Sequence, residues 1–175
     1  MRSMIGTWVL AIALLANASG DPLAGAEGSA SATAAAGYGI VELVRGAALH
    51  GANGAYVGPD GHLYVASVFG GEVIAFDVDS GEIVNRCRSE EGVLIPDDVT
   101  FGPDGAMYWT DILVGEVGRR TPDGTVTKQL VAPGVNPITF SDDGRLFVAL
   151  DFMGDGLFEL DPELLAPPRP IVVAS

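Results

Sequence analysis

The feature that most constrains this chain is a threefold internal repeat. Aligned on Asp-Gly turns, the segments NGAYVGPDG (53–61), DDVTFGPDG (97–105) and NPITFSDDG (136–144) fall into register, with the turn glycines 44 and 39 residues apart. A β-rich run follows each turn, at 63–67, 107–111 and 146–150, then a glycine-bearing loop and a second run at 73–76, 117–119 and 157–160. Short final strands are predicted at 83–84, 126–127 and, after a Pro-rich connection, 171–173. Alternating apolar residues mark half-buried strands, and Asp-Gly dipeptides supply the positive φ of tight hairpins, so each repeat spells four antiparallel strands.

Units of about 40 to 45 residues with four strands each are the signature of propeller blades. The Asn/Asp-to-Asp-Gly segment, with LYVAS (63–67) and MYWTD (107–111) after it, resembles the six-bladed propellers of the senescence marker protein/gluconolactonase family and their NHL-repeat and strictosidine synthase-like relatives. YWTD (108–111) also matches the signature of the YWTD propellers, in one copy. The expected fold is all-β: three four-stranded antiparallel blades at about 50–90, 91–132 and 133–175, an incomplete six-bladed β-propeller.

Residues 38–44 (YGIVELV) read as a lone strand ahead of the first repeat. From Tyr38 the chain has 138 residues, enough for that strand and three repeats, whereas closed rings use about four to eight blades. Three arrangements satisfy this count: a truncated chain, an assembly of half-propellers, or an open arc. Truncation is the preferred expectation, because an open arc exposes sheet edges and apolar blade faces that aggregate.

Residues 1–30 read as a signal peptide and lead-in: Arg2 precedes an apolar run over 8–16, and Ala16-Asn-Ala18 and Ala24-Gly-Ala26 both offer small-x-small cleavage patterns. A membrane anchor is the rival reading, but the run is shorter than the ~20 residues a spanning helix needs. Residues 31–37 read as a flexible Ala/Ser/Gly linker. The expected destination is therefore secreted or periplasmic, with no membrane association after cleavage. A net charge of −14, with no basic cluster beyond Arg119-Arg120, argues against nucleic acid, whose phosphates need a basic footprint. Such acidity suits solubility and the capture of cations. The single cysteine, Cys87, excludes an intrachain disulfide and reads as a half-buried strand residue.

In a four-stranded meander the connections alternate between the two ends of the blade. Asn53, Asp97 and Asn136 share one register at the start of the innermost strands, so they should ring one mouth of a central channel, joined at larger radius by Asp111, Asp151 and Asp155. The Asp-Gly turns belong to the opposite face. Converging carboxylate and amide oxygens suit Ca²⁺ or another divalent cation. The resemblance adds that similar lactonases hold one divalent cation at these positions and use it to polarise a substrate carbonyl. It also exposes a departure, since Asn53-Gly54 stands where the family carries a first-blade glutamate before Gly-Pro. The competing reading is that Asn53, Asp97 and Asn136 cap their own backbone in Asx turns. Asp98 is the candidate general base, or a second turn residue, and His50 a candidate proton shuttle at the channel mouth. Tyr108-Trp-Thr-Asp111 reads as a core-and-turn device.

Two functions from different classes follow: an exported metal-dependent hydrolase of lactones or esters, or a propeller that binds a small-molecule ligand or a protein without chemistry; an inactive fragment of a longer propeller is the remaining alternative. Self-association through open blade edges is expected of either, because terminal repeats need neighbours. Sedimentation of the purified mature chain should show dimers or larger species, and a monodisperse monomer with a sharp cooperative melt would refute this.

Overall fold

Alternating apolar residues and positive-φ glycines build twelve strands among the described residues, in the order the repeat predicts. The computed structural model describes residues 35–40, 49–151 and 153–171. The chain divides into two units, Met1–Ile40 and Val41–Ser175. In the first, residues 35–40 hold a turn and no strand. The lead strand expected at 38–44 is therefore absent over 38–40, and the remainder lies outside the described residues, as do the signal peptide and most of the linker.

The second unit is all-β. Its first sheet comprises β1 (Ala52–Val57), β2 (Leu63–Ser67), β3 (Glu72–Phe76) and β4 (Ile83–Cys87). The second has β5 (Pro96–Phe101), β6 (Met107–Asp111), β7 (Glu116–Arg120) and β8 (Val126–Leu130); the third has β9 (Val135–Phe140), β10 (Leu146–Leu150), β11 (Leu157–Leu160) and β12 (Arg169–Pro170). Each is a four-stranded antiparallel meander in chain order, as expected. β12 lies at Arg169–Pro170, ahead of the predicted 171–173, of which 172 and 173 lie outside the described residues: Arg169 pairs with Glu159 across the ladder, and Ile171 follows by donating to the Leu157 carbonyl at 2.8 Å. Among the described residues the only helical segment is a single 3₁₀ turn, Ser89–Glu91.

The blades stack through two apolar interfaces. Between the first and second lie Val73, Cys87, Val93, Val99, Met107 and Trp109; between the second and third lie Tyr108, Val117, Val135, Ile138, Leu146 and Val148. A third cluster, Val65, Ile74 and Phe76, packs with Leu49 and Leu63 on the other side of the first blade. Aromatic edges clasp neighbouring blades in a repeating manner: Tyr64 meets Phe101 at 4.7 Å between ring centres, and Tyr108 meets Phe140 at 5.0 Å, both edge-on.

Burial follows these neighbours more closely than it follows the repeat. Val99, Ile138 and Trp109 are buried as their pattern predicts, but Tyr56 and Val57 remain 41% and 58% exposed. An apolar residue on an inner strand is buried only where an adjoining blade covers it. Among the described residues, Tyr56 touches one neighbouring ring, that of Phe101, at 5.9 Å.

The Trp109 ring lies over Gly118, its direct cross-strand partner, so closely that a Cβ there would sit 2.1 Å from the ring. Gly118→Ala should therefore overpack the interface and destabilise the fold by roughly 1–3 kcal/mol. Urea denaturation should read this as a lower midpoint at unchanged slope.

Candidate functional site

The YWTD segment is committed to structure. Asp111 is fully buried and accepts the backbone N–H groups of Leu94 (3.0 Å) and Ile95 (2.8 Å), the Trp109 indole N–H (3.0 Å) and the Lys128 ammonium (2.9 Å). Ser67, its equivalent in the first blade, receives the His50 N–H at 3.1 Å in the same way. The last residue of the second strand thus ties down the segment that leads into its own blade. Asp111, expected at the channel mouth, is spent on this tie.

Adjacent side chains couple blade to blade. Thr110 Oγ1 accepts the Asp98 N–H (3.1 Å) and donates to the Asn136 carbonyl (2.9 Å). The Asp98 carboxylate accepts the N–H groups of Val99 (2.9 Å) and, in the next blade, Ile138 (3.0 Å). At the equivalent place one blade earlier stands Gly54, where a Cβ would lie 2.5 Å from Asp98 Cα. Asp98 therefore pins the second blade to the third, and the absence of a side chain at Gly54 lets the first close onto the second. Burial nonetheless pushes the Asp98 carboxyl up, partly opposed by those two backbone bonds.

Against this background the shared register of Asn53, Asp97 and Asn136 acquires a backbone signature. Each is the second residue of an innermost strand, and in all three blades the innermost strand carries one extra residue at that point. The ladder jumps between Ala52 and Ala55, between Pro96 and Asp98, and between Val135 and Ile138. Such bulges interrupt pairing and re-aim the side chains they carry. The repeat alignment found the positions, whereas the bulges had no separate sequence signal beyond Gly54 and Pro137.

Asp97 is the centre of this arrangement. It is 4% exposed, and its Oδ2 is buried without a hydrogen-bond partner. Burial pushes its carboxyl up, the neighbouring Asn53 amide partly offsets this, and the Asp98 and Asp151 charges raise it further. Asn136 donates to Asp151 at 3.3 Å, bringing the loop after β10 to the same group. Beside Asp151, a cavity of about 340 Å³ is lined also by Leu150, Gly154 and Asp155. The structure thus links Asn53, Asp97, Asn136 and Asp151. His50 is exposed and anchored through its backbone to Ser67, with no hydrogen bond from its ring to these residues. Among the described residues no three His, Cys, Asp or Glu side chains group as a metal site. The available set is instead one orphaned carboxylate with amide oxygens, donors that suit a hard, oxygen-seeking cation and not zinc.

No protein-family model matches the chain, nor does any curated protein. Solved structures do match. Virginiamycin B lyase from Staphylococcus aureus superimposes with TM-score 0.59 at 20% identity, over 71% of this chain and 42% of that one. Kuenenia stuttgartiensis hydrazine synthase gives TM-score 0.62 at 19% identity, over 78% and 40%; a proposed gluconolactonase gives 0.55 at 20%, over 71% and 49%. Together with the three meanders, these similarities define the chain as a β-propeller protein. It spans about two fifths of the length of the lyase it matches.

Asp97 has a definite effect on stability. Its carboxyl titrates higher when folded than unfolded, so the native state holds the proton more tightly. Stability is then full below the ordinary carboxylate value near ~3.9 and declines as pH rises through the raised native one. In the absence of metal, Asp97→Asn should raise the melting temperature at pH 7 and flatten its decline across that window, as followed by circular dichroism.

Proposed function

We propose that the chain supplies the cation-binding channel face of an exported hydrolase of the gluconolactonase type, acting on a lactone or ester. The observation that carries this reading is the buried, unpartnered Asp97 Oδ2 on a bulge whose register recurs at Asn53 and Asn136. A buried carboxylate oxygen without a donor is costly unless it is protonated or meets a cation. Asn53, Asp97 and Asn136 would hold Ca²⁺ or another divalent cation through oxygen, with Asp151 adding charge from the adjacent loop. When bound, that ion supplies Lewis acidity toward a carbonyl oxygen.

Around it the chain's own groups orient and move protons. A small-molecule substrate would sit at the channel mouth, with Asp98 the candidate general base and His50 the candidate proton shuttle. The deep acidity of the chain, −14 overall, favours cation capture and disfavours nucleic acid and anionic membrane surfaces. The exported location rests on the leader-like sequence over 1–30.

A second reading has an observation of its own. Both hydrogen bonds accepted by Asp98 go to backbone N–H groups, which suits a structural tie better than a base, and so favours a propeller that binds a ligand or protein without chemistry.

Calorimetric titration separates the two. The chain should take up Ca²⁺ in preference to Mg²⁺, whose small octahedral shell demands closer ligands. At one hundred times its dissociation constant, calcium should stabilise the fold by about 2.7 kcal/mol. Asp97→Ala should abolish both effects. Calcium-dependent hydrolysis across a panel of lactones and aryl esters selects the enzyme, calcium binding without turnover selects the binding propeller, and no heat with calcium overturns the metal site.

A further inference from the structure

The basic residues of the described chain are almost all engaged. Arg86 and Arg88 pair with Glu72, Arg119 with Asp104, Lys128 with Asp111 and Glu116, and Arg145 and Arg169 with Glu159. Arg120 is the exception among the described residues. No hydrogen bond or ion pair uses its guanidinium, and its Nε is buried without an acceptor. Alternation along β7 explains the contrast with its neighbour, because Arg119 and Arg120 point to opposite faces of the strand. Arg119 reaches Asp104 at 2.7 Å and the Tyr108 hydroxyl at 2.9 Å. Arg120 faces the cleft between the first and second blades.

That cleft is a cavity of about 280 Å³, lined by Tyr64, Asn85, Cys87, Phe101, Met107 and Arg120 together with residues of the Asp-Gly-side turns. It lies at the end of the blades away from the Asp97 register. The one acid among its lining residues, Asp60, is already occupied, accepting the Tyr64 hydroxyl at 2.9 Å and contacting the His62 ring at 2.9 Å. Asn85 is exposed, and the hydrogen bond its amide nitrogen donates, to the Cys87 sulfur at 3.8 Å, leaves a second amide hydrogen free. Burial pushes the Cys87 thiol up while the Arg120 charge opposes the shift, which places the two groups in one microenvironment.

We propose that this cleft binds a small organic monocarboxylate, its carboxylate seated on the Arg120 guanidinium and the Asn85 amide and its apolar body against Tyr64, Phe101 and Met107. A guanidinium is a planar fork that matches two carboxylate oxygens, and the terminal nitrogens of Arg120 have no acceptor among the described residues. The volume, below the ~300–1,000 Å³ of drug-sized pockets, limits the ligand to about the size of benzoate. Two donor side chains satisfy a carboxylate but leave a phosphate dianion under-coordinated. The site is independent of the proposed cation site, and its ligand has the opposite charge.

The test is calorimetric titration of the full chain with sodium benzoate, in EDTA and at constant ionic strength, with inorganic phosphate as the competing anion. We expect saturable one-to-one binding that phosphate does not match. Arg120→Gln should weaken it about tenfold or more, as expected for loss of a charge-assisted hydrogen bond. Asn85→Ala, at an exposed position and so compatible with an unchanged melt, should weaken it several-fold, and Arg169→Gln on β12 should leave it intact. If Arg120→Gln does not fold, Asn85→Ala decides. No saturable heat, benzoate affinity unchanged in a folded Arg120→Gln or in Asn85→Ala, or equal affinity for phosphate would each overturn the proposal.

Discussion

The Asp111 carboxylate sits at 0% exposure in the middle of the second blade, and the geometry of that blade depends on it. Its two oxygens collect two backbone N–H groups, an indole and an ammonium, so the charge is both neutralised and hydrogen-bonded. A buried ion pair adds little when compared with a hydrophobic replacement, but removing one partner leaves an uncompensated charge at a cost of about 3–5 kcal/mol. The tie therefore makes the conformation specific: Leu94 and Ile95 can lead into β5 along one path only. Ser67 repeats this tie with a neutral hydroxyl in the first blade, and at Leu150, the equivalent position in the third, the side chain has no such donor or acceptor.

From that path the candidate site inherits its position. With the lead-in fixed, the extra residue in β5 falls at Asp97, whose carboxylate is left over after Asp98 and Thr110 have joined the blades. The same bulge recurs at Asn53 and Asn136, where amides replace the charge. A single buried carboxyl ringed by amides is less repelled by its neighbours than three acids would be. It holds its proton more tightly than an exposed aspartate, because burial and the Asp98 and Asp151 charges disfavour its charged form.

The electrostatic pattern separates structure from function. Glu72 and Glu116 occupy equivalent places and each gathers basic side chains on or next to the outermost strand, Arg86 and Arg88 in one blade and Lys128 in the other. These pairs close the outer rim. Two groups stand apart from them among the described residues: the Asp97 carboxylate, with a buried oxygen that no donor reaches, at one end of the inner strands, and the Arg120 guanidinium, with no acid partner, in an interblade cleft toward the other. In a chain of charge −14 the second is the rarer feature, because most cations find an acid nearby.

The repeat by itself determined the blades, since period-two apolar runs and positive-φ glycines at Gly61, Gly105 and Gly144 leave little choice of hairpin. It placed β2, β6 and β10 at their residues and brought Asn53, Asp97 and Asn136 into one register. Tertiary structure decided which polar residues remained available. Asp111 and Asp97 look alike in sequence, yet one meets four donors and the other leaves an oxygen unmet, because three of those donors, Leu94, Ile95 and Lys128, lie 16 or 17 residues away in the chain. Tyr56 and Val57 carry the core pattern but stay exposed, since only a neighbouring blade removes an inner strand's side chains from water. Arg119 and Arg120, adjacent in the sequence, separate into a bonded and an unbonded guanidinium by the strand's alternation, and the cleft that makes the second one significant exists only once two blades are packed together.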